Sequence, residues 1–91
     1  MKVLEKKITV TNARGVHSRV ATRLAMIARE HHVGLRIIHG PDCIDAASIL
    51  DVLGLALVCG SKVTVRIEGE RGAVEPAMAA VRLVLTAQDE S

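Results

Sequence analysis

Two stretches of this chain, one at its start and one about two-thirds of the way along, alternate polar and apolar residues with period two. Leu4, Lys6, Ile8 and Val10 alternate with Glu5, Lys7, Thr9 and Thr11, so residues 3 to 11 predict a half-buried strand that ends at the turn residues Asn12 to Gly15. Between Lys62 and Glu68 the alternation is cleaner still, with Val63, Val65 and Ile67 on one side and Thr64, Arg66 and Glu68 on the other. Strands of this kind belong in an antiparallel sheet with one wet face, because a parallel sheet covered on both faces needs strands that are apolar throughout.

Helical spacing supplies the other layer. From Ser18 to His31 the apolar residues Val20, Ala21, Leu24, Ala25, Ile27 and Ala28 recur three and four apart, while Arg19, Arg23, Met26 and Glu30 fall on another stripe. Gly34 stands where a helix-terminating glycine is expected. Leu35, Ile37 and His39 then alternate with Arg36 and Ile38, and Gly40, Pro41 and Asp42 turn the chain into a short run from Cys43 to Ala46, which predicts a hairpin. Ser48 can cap a short helix with Asp51 replying three residues later, and Gly54 limits it to about two turns. Beyond Gly72, the stripe Val74, Ala77, Met78, Val81, Val84 and Leu85 predicts a last helix, with Pro76 tolerable only in its first turn. The order is βαββαβα, and the predicted fold is an α+β two-layer open-faced sandwich with three helices on one face of a four-stranded antiparallel sheet.

Composition narrows the functions. The 91 residues, read as a single domain over 1–91, hold no Phe, Tyr or Trp, so the core is aliphatic and no aromatic platform exists on which nucleic-acid bases could stack. A net charge of +2 is too small for bulk attraction to polyanions, yet it is uneven: residues 1–40 carry eight basic against two acidic side chains, and residues 41–91 four against eight. No apolar run approaches the roughly 20 residues that span a bilayer, and lysines interrupt the first ten residues in a way that signal peptides do not, so the expected place is the cytoplasm, off the membrane. Cys43 and Cys59 form no CxxC pair and read as reduced, packed or bystander thiols. His31, His32 and His39 lack the spacing of a metal site, and neither metal nor cofactor is expected.

The sharpest local feature is Gly15, Val16, His17 and Arg19, where the first strand's loop feeds the first helix. A helix N-terminus presents unpaired backbone N–H groups and a partial positive charge, which suit an anionic group. Histidine there holds a ring nitrogen beside those donors, and Arg19 adds a forked cation suited to phosphate. No Ser or Cys with a matching acid builds a hydrolytic triad, and no Walker-type glycine loop is present. The residues read on their own also allow His17 to be a simple capping residue.

Gly15-Val16-His17-Ser18-Arg19-Val20-Ala21, its place between first strand and first helix, the Ala47-Ser48-Ile49-Leu50 segment about 30 residues on, and the βαββαβα order together resemble the HPr family, over roughly residues 3 to 88. HPr is the phosphocarrier of the phosphoenolpyruvate-dependent sugar phosphotransferase system. The resemblance implies that His17 takes a phosphoryl group on Nδ1 from phosphorylated Enzyme I and passes it to an Enzyme IIA domain. Arg19 would steady the phosphate, and the N–H groups of Ser18 and Arg19 would bind its oxygens. It implies a carrier rather than an enzyme, monomeric when it works. It also places partner docking on Ile49, Leu50 and Leu53 of the short helix and on Met26, with Arg23 and Arg29 at the rim.

Two positions depart from the family pattern. Val20 stands where proline usually follows the arginine, which restores a donor N–H and is expected to cost about 1 kcal/mol or less. Ser48 matches a serine that an HPr kinase/phosphorylase modifies in some bacteria, but Asp51 replaces a frequent glycine and would repel a phosphoserine one turn away. The competing readings are a paralogue of a regulatory, nitrogen-type phosphotransfer branch and a non-phosphorylated interaction module of the same fold. A ferredoxin-like ligand-binding domain shares part of the element order and leaves Gly15 to Arg19 unexplained.

Overall fold

A computed structural model describes residues 1–87. Four strands and three helices follow in the order β1 (Lys2–Thr9), α1 (Ser18–His31), β2 (Gly34–His39), β3 (Asp42–Asp45), α2 (Ile49–Gly54), β4 (Lys62–Gly69) and α3 (Arg71–Thr86). The strands form one sheet in the spatial order β1-β4-β2-β3, antiparallel at every contact. The expected open-faced sandwich is the observed one.

The period-two pattern sets the register. Ile8 lies opposite Val63, Leu4 opposite Ile67, Ile67 opposite Leu35 and Val65 opposite Ile37, so the apolar members of three strands share one face. The three helices cover that face, with α3 over β1 and β4, α2 against β3, and α1 packed on both α2 and α3. Leu24, Leu35, Ile37, Ile67 and Leu85 are the largest fully buried apolar side chains, and the whole core is aliphatic apart from the thioether of Met78. On the wet face a charged row crosses the sheet, Glu5 opposite Arg66, Arg66 opposite Arg36, and Arg36 opposite Asp45. Arg66 bonds Glu68 at 3.0 Å and Glu5 at 3.3 Å. The bond to Glu68 and the nearby carboxylates hold the guanidinium pKa above its ordinary value.

Several boundaries differ from the sequence expectation. β1 leaves the ladder at Thr9, although Val10 stays buried and is tied to the loop before β4 through Ser61 and Gly60. Gly34 does not end α1: it opens β2, and the left-handed cap is His32 at φ 54°, whose N–H reaches back to Ala28 and Arg29. Gly54 does close α2, after six residues, and the left-handed turn that follows falls on Ala56 at φ 52°. Pro76 is the sixth residue of α3, past the first turn, where it removes the N–H that would bond Gly72 O. Both Pro76 and Gly72 are exposed, so water can take the orphaned carbonyl, and the buried stripe Val74, Ala77, Met78, Val81 and Leu85 holds the helix through the defect. Ala25 is only half-buried. Cys43 and Cys59 are unoxidised and exposed, so neither is a packed thiol.

Candidate functional site

The loop from Val10 to His17 is fixed along its length by backbone bonds. Val10 N donates to Ser61 O at 2.8 Å and Gly60 N donates to Val10 O at 2.7 Å. Thr11 N then donates to Leu85 O and the Thr11 hydroxyl to Thr86 O, while Asn12 Nδ2 donates to both Val84 O and Ala87 O. Gly15 N closes a tight turn onto Asn12 O, and Val16 N bonds Leu57 O at 3.0 Å. Gly15 needs to be glycine twice over: its φ is +66°, and a Cβ there would lie against Leu57 O and 2.7 Å from Val58 Cα.

That turn delivers His17 to the N-cap of α1. Its backbone is extended, its carbonyl accepts the first intrahelical bond from Ala21 N, and its Nδ1 accepts the N–H of Arg19 at 3.3 Å. An imidazole whose Nδ1 accepts a hydrogen bond carries its proton on Nε2. The nitrogen that faces the helix therefore directs its lone pair at the Arg19 N–H. Ser18, Arg19 and Val20 are the residues whose N–H groups precede the first intrahelical bond, and the first turn contains no acidic side chain to offset their positive end. Val20 does more than replace a proline, because its side chain is buried in the core under α1. Arg19 and Arg23 are exposed one turn apart on the same stripe.

The proposed docking residues are spread over the outer surface of the helical layer. Leu50 is 80% exposed on α2, while Ile49 and Leu53 are half-buried against the core and Val52 is fully buried. Met26 is 49% exposed and lies with Arg23 in an open apolar groove between α1 and α3, with Ala80 and Leu83 on its far side. Arg29 is exposed in the last turn of α1. α1 packs between α2 and α3, so Met26 stands on the middle helix and Leu50 on its neighbour. Ser48 caps α2, its hydroxyl accepting Asp51 N at 3.4 Å.

Two contributors were not legible from the residues alone. One is the Leu57–Val58 segment, which seats Gly15 and leaves Val58 exposed beside the His17 loop. The other is Asn12, 2% exposed and the only buried polar side chain among the described residues, which the strand pattern marked merely as a turn residue.

The protein-family model described as the PTS HPr component phosphorylation site matches residues 4–87. The chain is 36% identical over 70 residues to phosphocarrier protein NPr of Shewanella violacea, covering 77% of each protein. It is 32% identical over 66 residues to phosphocarrier protein HPr of Pseudomonas aeruginosa, covering 71% of this chain and 73% of that protein. Among solved structures, phosphocarrier protein HPr from Bacillus anthracis superposes with a TM-score of 0.82 at 26% identity, over 93% of this chain and 99% of that one. HPr-C-His from Thermoanaerobacter tengcongensis superposes with a TM-score of 0.79 at 25% identity, over 93% and 91%. The family match and these relatives, on this sandwich, place the molecule in the class of phosphocarriers, which relay a phosphoryl group and are not themselves catalysts. Within that class the chain belongs to the HPr family.

Proposed function

We propose that His17 is the phosphoryl carrier, loaded by phosphorylated Enzyme I and discharged to an Enzyme IIA domain in the cytoplasm. The observation that carries this reading is the bond from Arg19 N to His17 Nδ1, which keeps that nitrogen unprotonated and aims it among the N-terminal donors of α1. In the transfer, the Nδ1 lone pair forms a P–N bond as the donor's P–N bond breaks, and the departing nitrogen keeps its electron pair. No proton has to leave Nδ1. As the phosphoryl group arrives, the Arg19 N–H gives up the ring nitrogen and turns to a phosphoryl oxygen, joined by the N–H of Ser18, while the Arg19 guanidinium offsets charge. The carrier contributes position and electrostatics, which is most of what phosphoryl transfer needs. Arg23, Met26, Arg29, Ile49, Leu50 and Leu53 form the docking surface in this reading. Ser48 serves as the cap of α2, because Asp51 one turn on opposes a second phosphate there.

The test is incubation with Enzyme I and labelled phosphoenolpyruvate. An acid-labile, alkali-stable label on the wild type that is absent from His17→Ala supports the reading, and wild type that takes no label defeats it. The acceptor can belong to the sugar-transport branch or to a regulatory, nitrogen-type branch. The second is favoured by the 36% identity to an NPr, against 32% to an HPr. The Enzyme IIA that removes the label faster assigns the branch.

A further inference from the structure

α3 ends without a glycine, and its C-cap Ala87 returns to extended backbone at φ −67° and ψ 144°. A helix end of this kind leaves its last carbonyls without intrahelical partners. Here four consecutive ones, Val84, Leu85, Thr86 and Ala87, are met from outside, by Thr11 N, Thr11 Oγ1 and both hydrogens of the Asn12 amide. The distances run from 2.9 to 3.1 Å. Asn12 spends its whole amide nitrogen on this, and its Oδ1 is buried with no hydrogen-bond partner among the described residues. An orphaned buried acceptor is unfavourable, so the side chain is held for what its nitrogen does.

We propose that Thr11 and Asn12 are positioning residues for His17. They staple the His17 loop to the end of α3, and Asn12 O in turn anchors Gly15 N, two residues before the histidine. The chain of contacts is continuous: α3 carbonyls, the Asn12 side chain, the Asn12 carbonyl, the Gly15–Val16 turn, His17. Transfer between nitrogens in line demands placement to within fractions of an ångström, so a loop released from α3 leaves Nδ1 present and misplaced. Both act through the loop, with their side-chain bonds directed to α3. This proposal rests on His17 being the carrier, and its test separates the two.

The experiment compares wild type with Asn12→Ala, recording the phosphorylation rate by Enzyme I, the imidazole 15N signals of His17 and the amide resonance of Arg19. Asn12→Ala is expected to be phosphorylated about tenfold more slowly. Its Arg19 amide should move away from the hydrogen-bonded position, and the His17 ring should become a mixture of tautomers, while far-UV circular dichroism is unchanged. A folded Asn12→Ala with a wild-type Arg19 amide and a wild-type tautomer overturns the staple. If that variant does not fold, the same readings on Thr11→Val, which loses only the bond to Thr86 O, decide the matter: a two- to threefold slowing with a shifted Arg19 amide supports the proposal, and wild-type values overturn it. The two resonance readings need no phosphoryl donor. A wild type that is never phosphorylated on His17 therefore defeats the carrier assignment, while the staple is still judged by whether the ring moves.

Discussion

At the scale of single residues, the site is made by backbone geometry more than by side-chain chemistry. Gly15 is the clearest case, with its left-handed φ and no space for a methyl group against Leu57 and Val58. Gly15→Ala is expected to lower unfolding stability by about 1–3 kcal/mol and to slow phosphorylation further than the loss of stability explains, measured by denaturant melts alongside the labelling rate. His17 was legible as a candidate because a Gly-aliphatic-His-x-Arg run at a strand-to-helix junction puts a ring nitrogen among orphan donors. The partner of that ring nitrogen, the Arg19 N–H, was not legible in the same way: the motif assigned the donor to a phosphate, whereas the unmodified histidine takes it. Asn12 was missed for a related reason. Its role depends on the end of α3, more than 70 residues away in sequence, and no local pattern announces a helix that is capped by another segment.

At the scale of elements, the apolar periodicity marks which segments are helices and strands, while the glycines mark their ends unevenly. Gly54 does close α2, but α1 stops at His31 and Gly34 opens β2, and the left-handed positions belong to His32 and Ala56. Glycine is favoured at such positions because it lacks a Cβ, but packing that fixes the next strand or loop can force another residue into them. Ala56→Gly is accordingly expected to raise stability by about 0.5–1 kcal/mol, seen as a higher denaturant midpoint at unchanged slope. Pro76 gives a second handle on element stability. In the second turn of α3 it removes a helix bond, so Pro76→Ala should stabilise the protein by about 1 kcal/mol or more, with a midpoint equal to or below wild type contradicting that placement. Ser48→Ala should cost about 1 kcal/mol through loss of the α2 cap.

At the scale of the whole molecule, the basic excess of the first 40 residues divides between surfaces, with Arg36 on the wet face of the sheet and Arg19, Arg23 and Arg29 on α1. Met26 is exposed on α1 together with the arginines of that helix, Leu50 is exposed on α2, and Leu83, 70% exposed, lies across the groove on α3. Charges in such a position steer acidic partners and are screened by salt. The double variant Arg23→Ala and Arg29→Ala is expected to raise KM for phosphorylated Enzyme I several-fold and to flatten its dependence on ionic strength, with kcat little changed. An equal loss in kcat would contradict a docking role. Arg66 adds no pH dependence of its own near neutrality. Its raised value means that the stabilisation it gives is present below the ordinary arginine range and is lost only above it.

The central claim, that Nδ1 of His17 carries the phosphoryl group and exchanges its Arg19 hydrogen bond for a P–N bond, is open to direct observation. Uniformly 15N-labelled protein, phosphorylated by Enzyme I and phosphoenolpyruvate, should show one 31P-coupled imidazole nitrogen, assigned to His17 Nδ1, together with a displaced Arg19 amide that returns when the phosphoryl group is discharged. Coupling at Nε2, coupling on His31, His32 or His39, or an Arg19 amide that does not move would contradict it.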